Sequence, residues 1–212
     1  MNIFKFLSCG VYVVSSENSG CIINTLMQVN SKDPLVSISL NKTNYTNEII
    51  KKVGKFAVSI LSIDSKMDLI SDFGFKTSKE FDKFKVVEHK EIDGINVLTE
   101  NVLGYIICEV KEIVDCDTHD LFIAKVISSE ILADGNALTY EYYHKVLKGT
   151  TPLKAPSYIH ENELNESGAK RYQCIICGHI YDDSKEEVNF EDLPDDWVCP
   201  KCRVGKDKFK LI

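Results

Sequence analysis

Lys170-Arg-Tyr-Gln-Cys-Ile-Ile-Cys-Gly-His-Ile-Tyr-Asp182, followed by Phe190-Glu-Asp-Leu-Pro-Asp-Asp-Trp-Val-Cys-Pro-Lys-Cys202, holds two Cys-x-x-Cys pairs, Cys174/Cys177 and Cys199/Cys202. Four thiols at this spacing let two tight turns clasp one tetrahedral ion, and soft sulfur ligands select zinc or iron. The spacing alone does not choose the metal, and a zinc ribbon is the plainer expectation. A disulfide framework is the poorer one. The N-terminus has no basic segment ahead of an apolar run, and Lys5 cuts its short apolar stretch, so no secretion signal is expected. Of the other four cysteines, Cys9, Cys21 and Cys108 read as small core residues. Cys116-Asp-Thr-His119 offers two metal ligands but lacks a second pair.

Upstream of this stretch the texture changes. Pro152 and Pro156 are followed by His160-Glu-Asn-Glu-Leu-Asn-Glu-Ser-Gly168, polar, acidic and without periodicity, which reads as a linker. The expected division is a first domain over 1–155, a linker over 156–169 and a second domain over 170–212. Ten such linker residues span about 17–19 Å as a flexible coil and at most about 33–36 Å extended, so two sites joined by them can meet repeatedly. The whole chain has 212 residues, 44% hydrophobic and 27% charged, with only 11 Gly and 5 Pro, which suits a globular protein and excludes a low-complexity one. A net charge of −7 provides no general basic footprint for nucleic acid or anionic lipid. No apolar run approaches the roughly eighteen residues of a membrane span. A cytoplasmic protein with no nucleic-acid or membrane partner is expected.

The first domain alternates β-like runs with turn signals: Gly10 to Ser15, Cys21 to Val29, Leu35 to Leu40, Lys55 to Leu61, then the longer Val102 to Val114 and Leu121 to Leu132, and finally Ala137 to Tyr140. Two helical patterns interrupt them. One runs from Tyr45 to Val53 with Asn44 as N-cap and Gly54 as its stop, the other from Ser65 to Ser71. Many short strands and few helices point to a closed antiparallel barrel with helical insertions, not a doubly wound sheet. Asn41, Lys42, Thr43, Asn44, Tyr45 and Thr46 gather amide, hydroxyl and ammonium donors where a helix begins, a pattern suited to an anion such as a phosphate. An ordinary capped loop is the alternative. Asn24, Thr25, Gln28 and Val29 lie on a segment whose backbone and polar side chains could line a flat ligand, or simply form a strand of alternating exposure. No G-x-G-x-x-G is present, so a Rossmann site is not expected. His144, after Tyr142 and Tyr143, reads as a packing residue, and Asp182-Asp183 and Asp195-Asp196 as solvated faces. No nucleophilic triad and no catalytic acid or base is assigned.

The C-terminal stretch, continued by Val204-Gly-Lys-Asp-Lys-Phe209, closely resembles the rubredoxin family. The resemblance implies one iron per chain on Cys174, Cys177, Cys199 and Cys202, beside a small aromatic core of Tyr172, Tyr181, Phe190, Trp197 and Phe209. Three departures stand out: a shorter segment between the pairs, His179 where the family often has Tyr, and Arg203 where it usually has Gly. The last asks an arginine to adopt a positive φ.

Residues 1–160 resemble the flavin reductase-like, FMN-binding split-barrel family. The resemblance is carried by Gly10-Val-Tyr-Val-Val-Ser15, Cys21 to Val29, Pro34 to Thr46 and Thr118-His-Asp-Leu-Phe-Ile-Ala124. It implies a mainly β chain: an FMN-binding split β-barrel with helical insertions plus a small C-terminal rubredoxin domain. It further implies FMN held by Asn24, Thr25, Gln28, Val29, Asn41, Lys42, Asn44, Tyr45 and Thr46, NAD(P)H docking directly over the flavin, His119 near it, and a homodimer. The order of parts resembles high-molecular-weight rubredoxins, which implies electron flow from NAD(P)H through FMN to the iron on the four cysteines. A redox partner such as a flavodiiron oxygen or nitric oxide reductase would then accept the electrons. The alternatives are an FMN-binding protein with a structural zinc ribbon, and a free-flavin reductase.

Overall fold

The computed structural model describes residues 7–149 and 170–212, together with Pro152 and Ala155, so the linker expected at 156–169 lies outside the described residues. The chain divides into two compact units, one spanning Leu7–Lys148 and a second that includes 170–212.

Seven strands of the first unit form one antiparallel sheet: β1 (Tyr12–Ser16), β2 (Ser19–Ile23), β3 (Met27–Gln28), β4 (Leu35–Asn41), β5 (Lys55–Leu61), β8 (Val102–Cys116) and β9 (His119–Ile131). Their order is β2-β1-β5-β8-β9-β4-β3. A separate hairpin pairs β6 (His89–Ile92) with β7 (Ile95–Leu98). The strands are rich in Val, Ile and Phe at alternating positions, as a pleated surface with apolar neighbours requires. On β1, Val14 enters a core with Ile38, Phe56, Val58, Cys108 and Phe122 from the other strands and Ile50 from the first helix. Its neighbour Val13 points to the opposite face, under Ile70, Phe73, Phe84 and Tyr143. Both faces of this part of the sheet are therefore covered, which is why its strands read as nearly continuous apolar runs.

The first helix, α1 (Tyr45–Val53), forms where its sequence signals place it. Asn44 accepts a hydrogen bond from the Thr46 backbone N–H, and Gly54 ends the helix at φ +73°, its N–H donated to the Ile50 carbonyl. Glu48 in the first turn and Lys51 and Lys52 in the last complement the helix dipole.

Several elements differ from the sequence expectation. The run Cys21 to Val29 is not one strand. It breaks after Ile23 because the Thr25 hydroxyl takes the place of a ladder partner, donating to the Ser39 carbonyl (3.0 Å) and accepting from the Ser39 N–H (3.0 Å). Among the described residues the barrel is not closed by hydrogen bonds: β2 and β3 are the two edges of the sheet and do not pair with each other, and side chains and α1 fill the interior instead. The second helix, α2, runs over Met67–Phe75 rather than from Ser65, whose hydroxyl donates to the Asn101 carbonyl (2.9 Å). Ala137 to Tyr140 makes only isolated bridges, Ala137 to Ser62 and Thr139 to Gly10. Thr139 then caps a third helix, α3 (Tyr140–Lys145), by accepting the Tyr142 N–H. Lys83, in a short 3-10 turn, is almost fully buried, with its ammonium donating to the Gly20 (2.7 Å) and Phe73 (3.1 Å) carbonyls. Burial lowers its pKa to about 8.

The second unit is a three-stranded sheet in the order β11-β10-β12, formed by β10 (Arg171–Cys174), β11 (Ile180–Asp182) and β12 (Phe209–Leu211). The five aromatic residues of the sequence pattern converge here. Phe190 stacks on Tyr172 at 4.2 Å and meets Tyr181, Trp197 and Phe209 at 5.0–5.8 Å. So small a core buries little apolar area, and a unit of this size needs a further staple.

Candidate functional site

The staple is in place as four buried cysteines. The Sγ atoms of Cys174, Cys177, Cys199 and Cys202 all lie within 4.8 Å of one another, with Cys174–Cys202 and Cys177–Cys199 each at 3.7 Å. Sulfurs about 2.3 Å from a tetrahedral metal are separated by roughly 3.8 Å, so the donor set fits one such ion. The two turns that present them are built alike. The Cys174 carbonyl accepts from the Gly178 N–H and the Cys199 carbonyl from the Arg203 N–H, both 2.9 Å. The Cys174 and Cys199 N–H groups reach the His179 and Val204 carbonyls at 2.8 Å. Gly178 and Arg203 occupy matching left-handed positions, φ +75° and +59°, so the arginine does adopt the positive φ that its place requires. Hydrogen bonds from the neighbouring thiols hold Cys174 well toward its thiolate, and the set titrates as a unit. His179 packs edge-on against Phe209.

In the first unit, the candidate flavin residues fall on two segments that flank β4. Thr25 is tied to Ser39, and β3 pairs Met27 with Ser37 and Gln28 with Val36. Because β3 ends the sheet, one edge of its backbone is not taken up by a neighbouring strand among the described residues. Gln28 is exposed and donates to the Asn30 carbonyl, and Val29 is exposed, its N–H bonded to the Leu35 carbonyl. The second segment, 41–46, sits against the tip of the β8–β9 hairpin. Asn41 pairs with His119, and the Lys42 N–H donates to the Thr118 carbonyl (3.0 Å).

Several of the donors expected for a phosphate are already engaged. Asn41 Oδ1 accepts both the N–H and the hydroxyl of Thr43, and Asn44 Oδ1 accepts the Thr46 N–H. Lys42 Nζ lies 2.6 Å from Asp115 Oδ1, and that carboxylate holds the ammonium above its ordinary pKa. Thr46 Oγ1 is the exception: it is buried at the N-terminus of α1 with no nitrogen or oxygen partner among the described residues, its near neighbour being the weakly bonding Cys21 thiol. A buried hydroxyl without a partner is costly, and an anion at that helix start would relieve it. The donor set at this helix start therefore suits a phosphate. Burial pushes the nearby Cys21 thiol up, against the Lys83 charge and the polar side chains of Thr46 and Asn44, which favour the thiolate.

Asp120 is given no role by the sequence beyond its place in the stretch Thr118 to Ala124, yet it anchors this corner. It is buried, accepts from Asn47 Nδ2 (2.9 Å) and meets Lys51 Nζ at 2.6 Å, while Asn47 also donates to the Leu40 carbonyl. Burial would raise its pKa, but Lys51 and Asn47 together outweigh it and keep the carboxylate ionised. The first turn of α1 is thereby fixed to the ends of β4 and β9. His119 Nδ1 pairs with the Thr118 hydroxyl at 2.9 Å, and its Nε2 is buried without a partner among the described residues. His144 packs between Tyr140 and Tyr143, as its setting in the sequence suggests.

Residues 4–151 match the flavin reductase like domain, and residues 171–209 match rubredoxin. A high molecular weight rubredoxin of Moorella thermoacetica is 35% identical over 97% of this chain and 96% of its own length. The chain belongs to the high-molecular-weight rubredoxin family. A ferric-chelate reductase (NAD(P)H) of Archaeoglobus fulgidus is 39% identical over 74% of this chain and 95% of its own length. Among solved structures, an NADH:FAD oxidoreductase of Streptomyces globisporus C-1027 superposes with a TM-score of 0.60 at 20% identity. It covers 65% of this chain and 83% of that one, a likeness of fold.

As a member of the high-molecular-weight rubredoxin family, the chain is an oxidoreductase that transfers electrons through a flavin to a cysteine-bound iron. The four thiols are shut off from water by burial, and the hydrogen-bonded turns hold the ligands fixed.

Proposed function

We propose that the chain draws electrons from NAD(P)H, holds FMN in its first unit, and passes electrons singly through one iron on Cys174, Cys177, Cys199 and Cys202 to a redox partner. The observation that carries this is the set of four buried thiols at metal spacing in a chain whose remaining length is flavin reductase-like. FMN, when bound, would supply the conversion of the electron pair of one hydride into two single electrons.

The chain's own contribution is binding and placement. Thr46 Oγ1 and the α1 N-terminus would hold the phosphate, with Asn41, Lys42, Asn44 and Tyr45 around it. Asn24, Thr25, Gln28 and Val29 would line the ring system along the edge of β3. The choice of FMN rests on the family resemblance, with Thr46 Oγ1 and the α1 N-terminus as the place for its phosphate.

A homodimer belongs to the same proposal. Met27 and Ile131, 61% and 84% exposed, leave apolar surface on β3 and β9 that a second copy would cover. The acceptor we propose, a flavodiiron oxygen or nitric oxide reductase, rests on the family resemblance. A cytoplasmic location suits the free cysteines, and no helix among the described residues is long and apolar enough to cross a membrane. Residues 156–169 serve in this proposal as the tether between the two sites.

Thr46→Ala tests the flavin site. It is expected to weaken FMN binding about tenfold to a hundredfold, the worth of a hydrogen bond to a charged group, while riboflavin affinity and iron content hold. Flavin fluorescence quenching reads both affinities. Equal FMN affinity in Thr46→Ala, Lys42→Ala and the parent protein would move the phosphate elsewhere.

A further inference from the structure

The ammonium expected to meet the phosphate already has a carboxylate on it. Lys42 Nζ is 2.6 Å from Asp115 Oδ1, and Asp115 is held in that position by a second bond, from the Asp117 N–H at 2.9 Å. The hairpin tip that brings Asp115 here also brings Asp117, so the approach to Lys42 is lined on that side by negative charge. Lys51, on α1, is committed to Asp120. Neither cation therefore stands ready for an anion. Lys42 is 32% exposed and Asp115 75%, so the pair sits at the surface where a ligand would enter.

We propose that Asp115 determines how tightly this chain holds a flavin phosphate, and that it does so by opposing it. The inference rests on the placement of the phosphate at 41–46. A phosphate arriving beside Thr46 and engaging Lys42 must share that ammonium with a carboxylate, and it meets the carboxylate's repulsion. Loss of the charge at 115 frees the ammonium and removes the repulsion at once. Few substitutions next to a binding site are expected to tighten it, which makes the direction of the effect diagnostic.

Asp115→Asn is the informative change, because the amide keeps an Oδ1 acceptor for the Asp117 N–H and so preserves the turn. It is expected to tighten FMN binding about threefold to tenfold at low ionic strength, from the size of surface charge interactions. Riboflavin, which has no phosphate, is expected to bind both proteins equally. At about 1 M salt, where the Debye length falls to about 3 Å, the gain should vanish. Lys42→Gln should cost more FMN affinity in the Asp115→Asn background than in the parent, because there the ammonium is fully available to the phosphate. Unchanged or weaker FMN binding in Asp115→Asn would overturn the inference, as would an equal shift for riboflavin. If Thr46→Ala weakens FMN while Asp115→Asn fails to tighten it, this inference alone fails. If neither variant separates FMN from riboflavin, the phosphate site itself is wrong.

Discussion

Alanine in place of Cys177 is expected to abolish iron binding and with it every electron that leaves this protein through the second unit. Three thiolates remain, but the 3.7 Å pairing of Cys177 with Cys199 is lost and the tetrahedron is open. Metal binding by such sites contributes on the order of 10 kcal/mol or more to the fold of a small domain. The core of Tyr172, Tyr181 and Phe190 is too small to replace that, so the second unit should lose its fixed aromatic packing as well. The first unit has its own cores and should keep its flavin and its reduction by NAD(P)H. Iron per chain from elemental analysis, the visible ferric absorbance and flavin content measure the three effects separately. Stoichiometric iron in Cys177→Ala would show that the ligands lie elsewhere. Stoichiometric zinc without iron in parent protein prepared anaerobically from its native source would leave no electron path.

Cleavage between Glu161 and Gly168 should have an equally large consequence for rate. A short tether, the role proposed for 156–169, keeps one site at roughly millimolar effective concentration near the other. Separate halves at about 1 μM should therefore reduce iron about a thousandfold more slowly in the encounter-limited regime, at a rate proportional to concentration. Both cofactors should stay bound, and flavin reduction should be unchanged. Equal iron reduction in cut and intact protein would mean that the fusion has no kinetic role.

The parts of this molecule that the sequence makes legible are those specified over a few residues. The two Cys-x-x-Cys pairs and their aromatic neighbours announce a metal-centred unit because each turn is built within its own five or six positions. Asn44 and Gly54 mark both ends of α1 for the same reason. The third helix is hidden because Tyr140 to Lys145 is short and β-prone in composition. What starts it is the Thr139 hydroxyl, which reads equally well as a strand residue. The β6–β7 hairpin is hidden because His89-Lys-Glu-Ile92 carries little apolar alternation, and its second strand is held by packing against Ala57 of β5 and Tyr105 and Ile107 of β8.

At the flavin site, the residues on 41–46 are legible as donors, but their occupancy is not. Lys42 meets Asp115, and Asn47 meets Asp120, across 73 positions of sequence in each case. Only the register of β4 on β9 and β9 on β8 brings these groups together. Thr25 shows the same limit from the other side. The sequence offers its hydroxyl to a ligand, whereas the fold spends it on Ser39, which shapes the edge strand instead.

Anaerobic stopped-flow mixing of the intact, iron-loaded, FMN-bound protein with NADH or NADPH tests the central claim most directly. Flavin absorbance should bleach first and ferric absorbance second, and the second rate constant should be the same at about 1 μM and at about 50 μM protein. A flavin that bleaches while the ferric bands persist, or an iron phase that scales with protein concentration, would contradict electron transfer from flavin to iron within one assembly.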